Sequence, residues 1–280
     1  MAIEILSRGL DLFHYPFMQR ALVSGTLIGL MSGLLGSFTV LRQLSFFSNA
    51  LGHSALLGLA IGLWLGVDPS LVLLPFSVCF AVAVIYLLEH TQLWTDALLN
   101  ILHSSLLAIA ILLLSFMDVY KGGINTFLFG DILAVHPLDL GISAILLVIC
   151  LAYIGLSLRT QMLITLHEPI ALARGIAVSA HRKTFIILLA LVVGVSIKAI
   201  GVLLVSSFIV IPACAARLLS PNFMTHVMAS TVLGAISAIV GIVLSAFANL
   251  PSGPSIAVTQ LALFLLAIGI GRFTNQSSLV

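Results

Sequence analysis

Along most of the chain, apolar residues run for about 20 positions at a time, and polar residues interrupt them in short clusters. The runs predict helices at about 17–41, 46–67, 69–88, 96–117, 138–158, 184–197, 201–219, 225–248 and 254–271. A hydrocarbon core of ~30 Å takes ~20 helical residues per crossing. Backbone polar groups in lipid must be paired within the segment, and no run shows the alternation of a barrel strand. The expected fold is therefore all-α: a polytopic membrane helical bundle with about eight to nine transmembrane segments, one of them broken. The stretch 184–197 is too short to span alone, so a broken unit with 201–219 is expected, hinged around "SIKAIG". The segment 118–137, "DVYKGGINTFLFGDILAVHP", is too polar to span and too apolar for a free loop; a short interfacial or re-entrant helix is expected there.

Composition narrows the class. Apolar residues make up 61% of the 280 positions and charged ones 7%, too few charges to cover a soluble protein of this size. The net charge of +2 is too small to suggest nucleic acid as a partner, and no basic run exists to hold it, so none is expected. Cys79, Cys150 and Cys214 sit singly in apolar runs and read as small hydrophobes. No basic region followed by an apolar stretch and cleavage site opens the chain, so a removable signal peptide is not expected. Orientation follows from the connection 158–183, which carries Arg159, Arg174, Arg182 and Lys183 and is assigned to the cytoplasm. Counting crossings outward puts Arg42, Arg217 and Arg272 on the same side and the N-terminus outside, against a mild contrary signal from Arg8 and Arg20.

Two helices carry glycines at four-residue spacing: Gly25, Gly29 and Gly33, then Gly58, Gly62 and Gly66. Each set is expected to let a neighbouring backbone approach one face.

Few ionisable residues lie inside the spans: His53, His103 and Lys198, with no carboxylate among them. An intramembrane charge costs ~2.5–3.5 kcal/mol at mid-helix, so each asks for a reason. Asn49 and His53 lie at i and i+4, with Ser45 one turn back, so one stripe of the second helix is polar. Neutral imidazole is a good ligand for zinc and neighbouring divalent metals, and an amide oxygen a weak one. The same pair also suits an interhelical hydrogen-bonded clip, and the residues alone leave both readings open. His103, beside Ser104 and Ser105, repeats the theme, with a packing histidine as its plainer reading. The histidines at 14, 90, 136, 167, 181 and 226 fall in loops or at span ends and read as interfacial or solvated. Lys198 is placed near the outer mouth, to repel cations or to snorkel. Buried carboxylates that relay ions are missing, and so is a GxxxxGK[ST] loop, so uphill transport would draw its energy from another subunit. The stretch "HEPIALARGI" (167–176) is expected to form a short helix, with Glu168 and Pro169 in its first turn and Gly175 ending it. It is either an amphipathic connector or a docking point.

The stretches "GLLGSFTVLRQLSFFSNALGHSALLGLAIGLWLGVDP", "LHSSL", "LFGDILAVHPLDL", "EPIALARGI", "SIKAIGVLLVSSFIVIPACAARLL" and "SAFANLPSGPSIAV", in this order, resemble the membrane permease subunits of bacterial ABC importers for zinc and manganese, nearest the zinc-uptake branch. The resemblance runs nearly end to end and implies one permease domain over 1–280 in a bacterial inner membrane, with a coupling-helix region at about 159–183. It implies a homodimer, a separate ABC ATPase subunit that binds ATP, and an extracytoplasmic metal-binding protein. The chain itself would not be an enzyme and would hold no permanent cofactor; zinc or manganese would pass through it. By the same resemblance Asn49, His53 and His103 would touch the metal, while Glu168, Pro169, Ala171, Arg174 and Gly175 would meet the ATPase. Lys198 and Asn249 would stand near the outer mouth. The chain departs from the family pattern at Asn49 and Asn249, where relatives commonly carry Asp; each change deletes a charge and keeps the shape. The alternatives are a permease for a metal chelate or other small solute, an ion-coupled secondary carrier, and a receptor-like protein that moves nothing.

Overall fold

The computed structural model describes residues 15–116 and 124–276. In chain order the helices are α1 (Pro16–Leu41), α2 (Ser45–Trp64), α3 (Pro69–His90), α4 (Thr95–Ser115), α5 (Ile124–Phe129), α6 (Pro137–Leu166), α7 (Glu168–Ala173), α8 (Val178–Ile200), α9 (Val205–Leu219), α10 (Phe223–Ala248) and α11 (Ser252–Gln276). A 3₁₀ turn, Ile132–Ala134, follows α5. Eight of these helices are long and apolar enough to cross a membrane, and α9 is a ninth, shorter apolar helix. Among the described residues the expected all-helical bundle is present.

Two boundaries differ from expectation. The eighth helix is not a short piece: α8 has 23 residues and crosses by itself. Its first turns carry His181, Arg182 and Lys183, which look like a loop in a hydropathy profile. In the fold Lys183 Nζ lies 2.9 Å from Glu89 Oε1, and Arg182 pairs with Glu168 at 2.7 Å, so these charges are held beyond the apolar layer. The short member of the broken unit is α9, whose 15 residues rise about 22 Å. Likewise α6 continues to Leu166, so 158–166 is helix and not connection. Of the 118–137 segment, 118–123 lies outside the described residues; the rest includes α5 and the 3₁₀ turn, a short helix where a short interfacial or re-entrant one was expected.

Helices α1, α2 and α8 form the buried centre, while α3, α4, α6 and α11 show most of their length to the surroundings. The first glycine ladder seats α1 against α10. A Cβ on Gly29 would stand 2.5 Å from the Gly234 carbonyl oxygen, and Ser230 Oγ donates to the Gly33 carbonyl at 2.6 Å. In the second ladder Gly58 meets Phe76 and Gly62 meets Pro69, both on α3. Gly66 does not share this role: it has φ +67° in the turn after α2, with open space where a Cβ would go.

The break between α8 and α9 is sealed by the external segment. Val202 N–H donates to the Phe127 carbonyl at 3.0 Å, and Leu203 N–H to that of Leu128 at 3.2 Å. Asp131 N–H in turn donates to the Lys198 carbonyl at 3.3 Å. Irregular backbone survives in a membrane protein only where such partners are supplied. Gly201 (φ +93°) and Gly130 (φ +73°) let the two chains touch, because a Cβ on either would fall on the backbone of the other.

Candidate functional site

Arg42, just past α1, marks one end of the bundle. Its Nε donates to Thr165 Oγ1 at 3.0 Å, and its Nη2 donates to Gln161 Oε1 at 2.6 Å. That end therefore carries α7 as well, and the charge-based assignment makes it cytoplasmic. Arg217 belongs there too. It closes α9, beside Leu218, whose carbonyl faces Gly271.

From this end two polar stripes climb on facing helices. On α2 they are Ser45, Asn49 and His53; on α4 they are Asp96, Asn100 and His103, spaced i, i+4, i+7. A cleft of about 750 Å³ opens between the feet of the two helices, lined by Gln43, Ser45, Phe46, Asp96, Ala97 and Asn100. The stripes converge on the two imidazoles. His53 and His103 meet with ring centroids 4.9 Å apart and planes at 84°. Each stands eight residues beyond its helix start, about 12 Å up, so the pair lies toward the middle of a ~30 Å layer. Phe46 packs edge-on to His103 at 6.0 Å. The Nδ1 atom of His103 is buried and has no hydrogen-bond partner. A buried polar atom normally finds one, and His103 Nδ1 shares this lack with the buried Nδ1 of His226. Among the described residues no three His, Cys, Asp or Glu side chains form a metal-holding group, so one chain supplies two strong donors, with the Asn49 amide one turn below. Two imidazoles and an amide fall short of the four ligands of a closed tetrahedral zinc site.

Asp96 and Asn100 were not among the residues singled out from the sequence. Their signal was present in "TDALLNILHSS", but only the position of α4 against α2 shows that the stripe shares a cleft with Ser45 and Phe46.

At the opposite end a cavity of about 310 Å³ is lined by Asp68, His136, Asp139 and Lys198, among others. Lys198, in the last turn of α8, is paired: its Nζ lies 2.9 Å from Asp139 Oδ2 at the start of α6. Asn249 is exposed and caps α10 in the left-handed conformation, φ 52° and ψ 46°. Asparagine is the side chain besides glycine that tolerates this geometry best. The structure thus gives Asn249 a local backbone reason independent of any ion.

Of the histidines expected to be interfacial or solvated, His226 departs from the expectation and His181 is partly covered. His226 is buried in the first turn of α10, with Nε2 3.4 Å from the Ser37 carbonyl oxygen. His181 is half-buried, its Nδ1 accepting from Gln161 Nε2 at 3.3 Å. Hydropathy at a helix end does not show which neighbours will cover it.

The docking candidate takes the expected shape: α7 begins at Glu168, Arg174 caps it and Gly175 follows at φ +74°. Ala171 is buried against Ile164 and Val178, while Ile170 and Leu172 are exposed.

The sequence matches the ABC 3 transport family over residues 14–271. This chain belongs to that family. The high-affinity zinc uptake system membrane protein ZnuB of Haemophilus influenzae is 32% identical over 251 residues, which cover 89% of this chain and 95% of that protein. The manganese import system permease protein ScaB of Streptococcus gordonii is 31% identical over 271 residues, covering 96% and 95%. Among solved structures, PsaBC from Streptococcus pneumoniae in complex with Fab superposes with a TM-score of 0.81 at 26% identity, covering 95% of both chains. As an ABC 3 chain with eight apolar spans, this is a multi-pass membrane permease. The zinc and manganese relatives stand at nearly the same identity, so similarity does not favour the zinc branch expected from the sequence.

Proposed function

We propose that this chain is the permease of an ATP-driven importer for zinc or manganese, in which His53 and His103 form the transient binding point on the path. The carrying observation is the juxtaposition of these two imidazoles, with an orphaned ring nitrogen, above a cleft lined by Asp96 and Asn100. Neutral imidazole binds late divalent metals well, and the carboxylate at the foot of the path supplies the attraction that Asn49 lacks. ATP hydrolysis belongs to a separate subunit that meets α7, where Ile170 and Leu172 offer apolar contacts beside Glu168 and Arg174. An extracytoplasmic metal-binding protein delivers the ion at the end of the 310 Å³ cavity. A second copy completes the pathway.

The test is ATP-dependent uptake of radiolabelled zinc and manganese into proteoliposomes holding the permease, its ATPase and its binding protein. His53→Ala and His103→Ala should each cut uptake at least tenfold while the complex still assembles. A metal chelate as cargo is the alternative, and it predicts that both variants transport normally, since no imidazole need touch a chelated ion.

A further inference from the structure

The residue that ties the bundle together at its cytoplasmic end is Arg42. It sits in the three-residue turn between α1 and α2, a turn held by Arg42 N–H to Phe38 O at 2.9 Å and Leu44 N–H to Thr39 O at 2.9 Å. Gln43 completes it with a positive φ of 57°, which fixes the angle at which α2 leaves α1. The Arg42 guanidinium does not point to solvent. Besides its bonds to Thr165 and Gln161 it lies over the Phe185 ring at 4.5 Å and near Phe38 at 5.6 Å. Burial draws its pKa from 12.5 down to about 10, which leaves it charged at neutral pH.

What Arg42 grips is itself rigid. Gln161 is fully buried and donates to Tyr153 Oη at 2.7 Å, and Tyr153 Oη donates to the His181 carbonyl at 3.1 Å. One connected set of hydrogen bonds thus joins the end of α1, the last turns of α6 and the first turn of α8, the two helices that flank α7. Arg42 also lines a cavity of about 370 Å³ together with Leu44, Thr95, Glu168 and Arg182. Leu44 precedes α2 and Thr95 opens α4, so this space separates the feet of both histidine-bearing helices from the first residue of α7. A displacement of α7 has room to occur there, and the Arg42 side chain, which lines that space, ties the turn that aims α2 to the turns of α6 just before α7.

We propose that Arg42 is the positioning residue that couples movement of α7 to the helix pair carrying His53 and His103. The proposal rests on the reading of α7 as the ATPase contact. Lysine can replace it only in part. The planar fork serves Thr165 and Gln161 at once while stacking on Phe185, and an ammonium is a single strongly hydrated point.

The test measures metal imported per ATP hydrolysed in the reconstituted importer, a ratio that a merely structural role would not move. Arg42→Gln should keep ATP hydrolysis within about twofold and lower the ratio about tenfold, in the range of ordinary site-to-site coupling. Arg42→Lys should fall between, and Thr165→Val, which removes only the Nε partner, should lose less. An unchanged ratio in Arg42→Gln overturns the proposal, and so does a parallel fall in hydrolysis and uptake. If Arg42→Gln does not fold, the milder Thr165→Val carries the same test. Retention of the ATPase on the purified permease is followed in Leu172→Asp. Loss there supports the docking reading. Normal retention sinks that reading and the proposal with it, whereas an unchanged ratio with docking intact sinks the proposal alone.

Discussion

Gly29→Ala and Gly155→Ala are the same chemical change and should have opposite signs. At Gly29 the new Cβ would lie 2.5 Å from the Gly234 carbonyl oxygen and 2.8 Å from its carbon. Contacts below 3.0 Å are essentially never seen, so α1 and α10 must separate by about 0.5 Å or more. Neither backbone can swing aside as a flexible side chain would. Neighbouring contacts along the seam, including Ser230 Oγ to the Gly33 carbonyl, stretch with it. A gap of that size forfeits about a quarter or more of each affected dispersion contact. Overpacking of this kind costs ~1–3 kcal/mol, and replacing a helical glycine by alanine returns up to ~1 kcal/mol. The net expectation for Gly29→Ala is a loss of ~1–2 kcal/mol. Gly155 faces open space in α6, so Gly155→Ala should keep only the propensity gain, below ~1 kcal/mol. Thermal unfolding of the two purified variants in one detergent, followed by scattering or a buried-thiol dye, gives the comparison. If Gly29→Ala melts at or above Gly155→Ala, the α1–α10 seam is not the close backbone contact described.

Other outcomes follow from single residues. Asn49→Asp restores a charge one turn below His53 and should tighten metal binding while slowing release, seen as a lower half-saturating concentration with a lower maximal uptake. Acidifying the medium should reduce uptake in the wild type, because protons compete with metal for imidazole nitrogen. A flat profile would speak against the histidine pair as the binding point. Breaking the partly buried Lys198–Asp139 pair with Lys198→Met should cost ~1 kcal/mol or more, above the range of a fully exposed pair, read by the same melts. Asn249→Gly should be tolerated and Asn249→Val should destabilise the protein by ~1 kcal/mol or more, because a β-branched residue resists the left-handed cap.

The periodicity of apolar runs was enough for the bundle, because lipid leaves the backbone few choices. It misjudged α8, whose opening charges are paired with Glu89 and Glu168 across 94 and 14 positions of chain in a way that no local window can register. It also misread Gly66, since spacing alone does not show that α2 ends at Trp64. His53 was conspicuous by itself. Its meeting with His103, fifty residues away, depends on how α4 packs on α2, and so does the relevance of Asp96 and Asn100. Arg42 was legible as a topological marker; its role as a strut needed the buried amide of Gln161 to be in place.

The contact between Gly130 and Gly201 constrains how this chain can change over generations. Each glycine occupies the volume that a side chain on the other would need, and both have dihedrals that other residues resist. No single replacement at either position opens a route to a compensating one at its neighbour, because relief requires the 127–130 backbone to move away from 201–203 and surrender the bonds to Val202 and Leu203. A side chain at either site, seventy-one positions apart in the chain, therefore demands the same displacement of backbone.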